Sequence, residues 1–465
     1  MNFANARFWG LLIAGLCTVV VLRLVFAAVR PQKLADFDRV ALLALGMFLL
    51  FHVNALTFAI WLAVSLGTWA GVWLINKYHP GSGSRYLWIL IPAQLAPLFY
   101  FKYADFTLNG VLGLGFSPVR DLIIPAGLSF YTFQKVAFAV DTLQNGEPVP
   151  PLLDYMNFAG FFPQIVAGPI ERKDNLLGQM QQFRFRWVAA EIDEGLSWLV
   201  VGLFFKCVMA DNLADGMFYF SNSTSNAYEI WAANLLFGLR CYFDFAGYSL
   251  VAFGVARCLG VKLTLNFASP LCSTSIKEFW NRWHISLSRW LWDYVFIPLR
   301  SLPVALGIGL VFVVAGIWHG AGWNFLLFGC VHGISMVICH FCRKLKIPPI
   351  LGWLATMAAV AFAFLFFYET RLPALFAKTK TLASPSAYSP HALRELIVIL
   401  RSVNGTVLLC FLAMAFTTLT VEWLSVRRRN EPYFLLRRPL VLAGLAVLIV
   451  LLAPLKSNGF IYFAF

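Results

Sequence analysis

Along most of this chain apolar residues continue without the polar interruptions that a water-facing surface requires, and the run lengths predict membrane-spanning helices. Runs at 8–29, 40–76, 86–104, 121–142, 193–213, 228–258, 303–318, 321–342, 350–368, 403–424 and 440–456 have the length and character of bilayer helices. The run 40–76 is long enough for a pair of crossings, which gives about twelve crossings by hydropathy. Residues 153–171 depart from the pattern. Pro163, Gly168 and Pro169 would break a helix there, and broken backbone at membrane depth is tolerated only when buried in protein or beside a cavity. A re-entrant segment is predicted.

The stretch 276–294 has a different pattern. Ile276, Phe279, Trp280, Trp283, Leu287, Trp290, Leu291 and Tyr294 recur at helical spacing and form one apolar stripe. Lys277, Asn281, His284 and Ser288 line an edge of the opposite, polar side, where Glu278 with Arg282 and Arg289 with Asp293 stand as i,i+4 pairs of opposite charge. A single two-faced helix is predicted. After Pro298, an apolar run leads into Trp318, His319, Gly320, Ala321, Gly322, Trp323 and Asn324. Gly316 with Gly320, and Gly329 with Gly333, are one turn apart and allow helix backbones to approach closely. His319 therefore sits at membrane depth and faces protein.

A histidine in that position either satisfies a carbonyl or neighbouring helix, or performs chemistry. Flanking tryptophans suited to lining an apolar cavity, glycines that open space, and His284 on the preceding polar face favour chemistry. His332 follows His319 by thirteen positions, which on a continuous helix is roughly 20 Å and a different face. It is expected to lie outside the site.

Composition removes the soluble classes. With 60% hydrophobic residues, 12% charged residues and a mean hydropathy of +0.74, the chain has too little polar surface to cover a water-soluble fold. The net charge of +14 would suggest nucleic acid, but the basic residues fall in loops between apolar runs, as positive-inside topology dictates. Membrane lipid is the expected surroundings and nucleic acid is not an expected partner. Basic clusters at 172–186, 262–300, 343–346 and 427–438 fall on one side when crossings are counted, which makes that side cytoplasmic and places 369–402 in an outer loop.

The nine cysteines lie mostly in apolar segments and read as small buried hydrophobes. Cys339 and Cys342 form a CxxC with no second pair, so no metal site is predicted. Asp244 and Glu229 lie in or near the run 228–258, with Arg240 as an available partner and a functional role equally open.

The blocks FWNRWHISLSRWLWDYVFIPL and GIWHGAGWNF, with FFPQIVAGPIER at Phe161–Arg172, resemble the membrane-bound O-acyltransferase (MBOAT) family, specifically its bacterial branch that O-acylates cell-surface polymers, nearest the alginate O-acetyltransferase-like members. The resemblance implies an all-α polytopic transmembrane bundle with re-entrant and amphipathic helices around a central tunnel. A single membrane domain over 1–465 would hold its acyltransferase core at about 145–345. It implies that His319 matches the family's catalytic histidine and His284 its second active-site position.

An O-acetyltransferase of the bacterial cytoplasmic (inner) membrane is thus expected, with acetyl-CoA as co-substrate and no bound cofactor. It would move an acetyl group toward hydroxyls of an exopolysaccharide or cell-wall polymer, working with periplasmic acetyl-handling proteins. The supporting candidates are Asn281, Ser288, Trp318, Trp323 and Asn324 for substrate, and Lys277, Arg282 and Arg289 for the phosphates of CoA. A transporter without transfer chemistry is the alternative; it would be expected to show related halves, and the sequence has no evident internal repeat.

Overall fold

The computed structural model describes residues 3, 5–119, 122–217, 219–454 and 458–461, and among these the regular structure is helical with no strand. The helices fall into two units, one of residues 1–199 with 251–265 and one of residues 200–250 with 266–465.

The first unit begins with α1 (Ala6–Val29), α2 (Leu34–Val53) and α3 (Ala55–Tyr78). The long run 40–76 divides at Asn54, whose side chain accepts from the backbone N–H groups of Leu56 and Thr57 and so caps α3. Next comes α4 (Leu87–Leu98), which contains Pro92 and Pro97 and passes into wide π-type turns at Phe99–Tyr103 and Phe106–Val111. Each proline removes a ladder donor, so the run is not a straight span.

The fifth helix, α5 (Leu128–Asn145), is buried along nearly its whole length and includes Gln134 and Lys135 among its buried residues. Then α6 (Leu152–Gly160) stops at Gly160, where a Cβ would meet the Trp61 ring at 2.6 Å. Residues 161–170 continue without helix and are buried throughout. The irregular stretch predicted at 153–171 is therefore enclosed by protein. It is followed by α7 (Lys173–Gln181) and the start of α8 (Ala189–Leu203). Gly195 of α8 touches Gly254 of α10 (Ala227–Cys258), a Cβ on either meeting the other's carbonyl oxygen at 2.6–2.7 Å.

In the second unit α8 runs through a π turn at Phe204–Ala210 into α9 (Asp211–Met217), and α10 supplies the residues up to 250. The site elements are α11 (Ile276–Arg282), α12 (Ile285–Leu291), α13 (Val304–His319), α14 (Trp323–Phe341) and α15 (Pro349–Tyr368). The outer loop expected at 369–402 contains α16 (Leu372–Ala383) and α17 (Pro390–Arg401), and α18 (Val403–Arg429) and α19 (Pro439–Leu452) follow.

Seven helices among the described residues are long and apolar enough to cross a membrane: Ala6–Val29, Ala55–Tyr78, Ala189–Met217, Ala227–Cys258, Trp323–Lys344, Pro349–Tyr368 and Val403–Arg429. Two apolar helices, Val304–His319 and Pro439–Leu452, are shorter. This is a multi-pass membrane protein. Of the other runs that hydropathy reads as crossings, α5 lies in the protein interior, α4 is broken by prolines, and the first turns of α2 carry Asp36, Asp38 and Arg39.

In the second unit α13 and α14 form a hairpin in which backbone meets backbone. A Cβ on Gly316 would lie 2.3 Å from the Phe325 carbonyl oxygen, and one on Gly329 would lie 2.3 Å from that of Phe312. Small residues are needed at both contacts. Within the second unit a buried charge cluster holds Asn458. Lys206 Nζ lies 2.7 Å from both Asp211 and Asp244 and donates to the Asn458 carbonyl at 2.9 Å. Asp244 also accepts the Ile461 N–H at 2.7 Å. The available partner Arg240 is thus replaced by Lys206, which reaches inward from a π turn that sequence spacing does not reveal. Phe460 packs on Tyr248 and Phe245 with centroids at 4.7 and 5.7 Å, while the rest of the aromatic close, residues 462–465, lies outside the described residues.

Two outcomes follow from this packing. Gly329→Ala is expected to reduce folded protein sharply in fluorescence-detected size-exclusion chromatography, whereas Gly309→Ala, where a Cβ meets nothing within 4 Å, leaves yield unchanged or improved. Lys206→Met leaves Asp211 and Asp244 without their shared cation and should lower stability on the order of 3 kcal/mol, read as a depressed thermal unfolding midpoint.

Candidate functional site

The predicted single helix over 276–294 is two short helices broken at Trp283 and His284. Ser275 caps α11 by accepting the Glu278 N–H at 3.2 Å, and Glu278 pairs with Arg282 at 3.0 Å. Beyond Arg282 a neighbouring extended segment captures the backbone: the Ala268 N–H donates to the Arg282 carbonyl and the Ile285 N–H to the Asn266 carbonyl, both at 2.9 Å. Between these two bonds His284 adopts the left-handed conformation, φ 44° and ψ 53°. A non-glycine residue pays about 1–2 kcal/mol for that geometry, and such strain gathers at functional sites.

The break turns His284 inward. It is fully buried, with Phe245, Trp318 and Phe267 ring centroids at 4.7, 5.6 and 6.4 Å. Its Nδ1 lies 3.3 Å from Asn266 Oδ1, which also accepts from the Ser286 N–H at 3.1 Å and the Ser286 hydroxyl at 2.8 Å. Burial pushes the imidazole well below its usual pKa, so the ring is neutral at physiological pH.

His319 is the last residue of α13 and is 2% exposed. Its ring is surrounded by Trp318, Phe367 and Phe328 at 5.0, 5.3 and 5.5 Å. The turn beyond it needs Gly320, where a Cβ would lie 2.1 Å from the Phe325 ring. Trp318 touches both His284 and His319, so the two predicted catalytic histidines flank one indole.

His319 lines a small cavity of about 10 Å³, with Cys241, Trp280, Trp283, several phenylalanines and His332. The expectation that His332 stands apart is wrong. Its premise was a continuous helix, and the chain reverses at Gly320–Gly322 instead, so that α14 carries His332 back to the same cavity. Phe328 lies between the two imidazoles, 5.5 Å from His319 and 4.7 Å from His332. Trp280 meets His332 edge to face at 4.9 Å.

The supporting candidates divide. Trp318 is in the site. Trp323 is 44% exposed and away from the cavity lining. Asn324 is buried, but its side-chain amide donates to the Phe366 carbonyl at 3.0 Å, a tie between α14 and α15. Ser288 donates to the Trp283 carbonyl at 3.3 Å and holds the chain break. Arg282 is engaged by Glu278 and by the Ala268 carbonyl at 3.0 Å. Lys277, Asn281 and Arg289 are exposed; the helix break separates them from His284, which a continuous helix would have kept on their side. Asn266, Trp280 and His332 were missed as site residues. Asn266 carries no motif of its own, Trp280 reads as one more member of an apolar stripe, and His332 needed the hairpin to be recognised from its glycines.

Comparison with known proteins places this arrangement. Residues 51–372 match the membrane-bound O-acyltransferase family. The chain is 32% identical over 383 residues to a peptidoglycan O-acetyltransferase of Helicobacter pylori, covering 72% of each chain. It is 30% identical over 388 residues to the probable alginate O-acetylase AlgI of Pseudomonas aeruginosa, covering 79% of this chain and 72% of that one. A teichoic acid D-alanyltransferase of Bacillus subtilis is 30% identical over 294 residues, covering 58% of this chain and 72% of its own. With the family match spanning most of the chain, including both histidine-bearing segments, this protein belongs to the membrane-bound O-acyltransferase family and is an O-acyltransferase.

Proposed function

We propose that this protein is an O-acetyltransferase of the bacterial inner membrane. It takes an acetyl group from a cytoplasmic thioester, acetyl-CoA, and passes it toward hydroxyls of an exopolysaccharide or cell-wall polymer on the outer side, with a periplasmic protein completing the transfer where the polymer is distant. The relatives named for peptidoglycan, alginate and teichoic acid support an envelope polymer as acceptor.

The single observation that carries the reading is His319 in its small aromatic cavity. In the reaction the acceptor oxygen attacks the thioester carbonyl carbon while His319 takes the hydroxyl proton. The tetrahedral intermediate collapses, the C–S bond breaks, and the imidazolium returns the proton to the departing CoA thiolate. The products are the O-acetyl ester and free CoA. A water-excluding aromatic wall limits competing hydrolysis of the thioester.

His284, one indole away, would act on the acceptor. Lys277 and Arg289, exposed on α11 and α12, are the basic side chains left to meet CoA phosphates, since Arg282 is engaged by Glu278. A CoA head group cannot cross lipid, so this reading requires a passage that brings donor and acceptor to His319 from opposite faces.

Purified full-length protein given acetyl-CoA with a labelled acetyl group is expected to release CoA and move the label to acceptor. His319→Gln and His319→Ala should lower that turnover by about 10²–10⁴-fold while eluting as folded protein. Wild-type turnover by either folded variant overturns the proposal.

A further inference from the structure

His332 takes no part in the proton transfer at His319, yet the fold brings it to the same cavity. Its imidazole is 3% exposed and boxed by rings, with Trp280 and Phe328 edge to face at 4.9 and 4.7 Å and Phe312 stacked at 6.3 Å. The close approach of α13 and α14 keeps it there, since a Cβ on the adjoining Gly333 would already lie 3.3 Å from Phe312 Cβ. Among the described residues no hydrogen bond or ion pair reaches the His332 ring. Beside it the indole nitrogen of Trp280 is also buried without a hydrogen-bond partner among the described residues. Polar nitrogens are costly to bury in this way, and where they are kept they mark a place that an arriving polar group satisfies.

The cavity that His332 shares with His319 is about 10 Å³ and its lining carries no charged side chain among the described residues. That is room for about one oxygen-sized group. The attacking hydroxyl has a single proton to give and His319 takes it, so a second imidazole on the same small space serves the other oxygen of the reaction, the one that gains charge.

We infer that His332 is a further catalytic residue: its N–H donates to the carbonyl oxygen of the thioester, and the bond tightens as that oxygen becomes the oxyanion of the tetrahedral intermediate. This rests on the reading of His319 as the base of acyl transfer and supplies the partner for the negative charge which that step creates. As the acceptor oxygen attacks, its proton passes to His319 and the carbonyl π pair moves onto oxygen. As the C–S bond breaks, the pair returns to the carbonyl and the proton leaves with the CoA thiolate. His332 exchanges no proton in either step. Each neutral tautomer of an imidazole carries one N–H, and no protein hydrogen bond locks which nitrogen bears it, so the developing charge selects the tautomer that donates to it. Trp280 and Phe328 hold the plane of the ring, and a donor fixed in a water-excluded site stabilises such charge more than water does.

The test compares purified full-length wild type with His332→Phe, which keeps a ring and removes the N–H, and His332→Gln, which keeps an N–H donor. For CoA released from acetyl-CoA, His332→Phe is expected to lower kcat by about 10²–10³-fold with KM for acetyl-CoA little changed, and His332→Gln to recover much of the loss. A merely structural role would not produce that split. Where His332→Phe does not elute as folded protein, His332→Ala takes its place. The hydrogen bond itself is read by infrared spectroscopy of acetyl-CoA carrying a ¹³C thioester carbonyl, bound to the slow His319→Gln variant. The carbonyl band is expected at lower frequency than in free acetyl-CoA, and adding His332→Phe removes the shift. A wild-type kcat in the folded variant lacking the N–H, or a carbonyl band unmoved by the double substitution, overturns the inference. Absence of turnover by wild type overturns instead the proposed reaction, which the His319 variants report separately.

Discussion

The site depends on one contact above others, the backbone-to-backbone approach of α13 and α14. Gly316 and Gly329 leave no room for a side chain between the two helices, and dispersion at that distance replaces the hydrophobic drive that lipid cannot provide. The contact sets where α13 ends. It fixes His319 at the tip, lets the chain reverse over Gly320–Gly322, and brings His332 along α14 to the same cavity. If these helices were held a side chain further apart, the aromatic wall of Phe325, Phe328 and Phe367 around His319 would lose its closure.

A second constraint works at the other histidine. Left to its own periodicity, 276–294 would form one helix and keep His284 on its polar side. The competing backbone partners at Asn266 and Ala268 interrupt it, and the left-handed turn buries the imidazole against Trp318. The cost of that conformation is offset by the bonds on either side and by the three that converge on Asn266 Oδ1. The outcome is a pair of histidines presented to a ring-lined interior from two different short-range geometries, a helix end and a helix break. Both are places where the backbone departs from regular structure, as is usual where chemistry is held.

Much of this could be read from the chain. The apolar runs announced a multi-pass protein, the length of the run 40–76 announced a pair of helices, and Pro163 with Gly168 marked the buried irregular segment. The paired glycines pointed to close helix contact, and Trp318, His284 and His319 do lie together. Other features were hidden for physical reasons. Periodicity describes a helix but not the competition that breaks one, so the bend at His284 and the loss of Lys277, Asn281 and Arg289 from its surroundings were invisible. Hydropathy measures transfer to an apolar medium and does not distinguish lipid from protein interior, so the burial of α5 along nearly its whole length was not legible. A distance along a presumed straight helix separated His332 from His319, and the reversal at Gly320–Gly322 cancelled it.

The central claim is that acyl transfer takes place at His319 in the cavity that α13, α14 and α15 enclose. The most direct measurement is a cryo-electron microscopy structure of the full-length protein with a non-hydrolysable thioether analogue of acetyl-CoA. The account predicts that the acyl end of the analogue lies in contact with the His319 imidazole, inside the cavity shared with His332 and Trp280. An analogue bound with its acyl end elsewhere, and the cavity at His319 closed to it, would contradict the account.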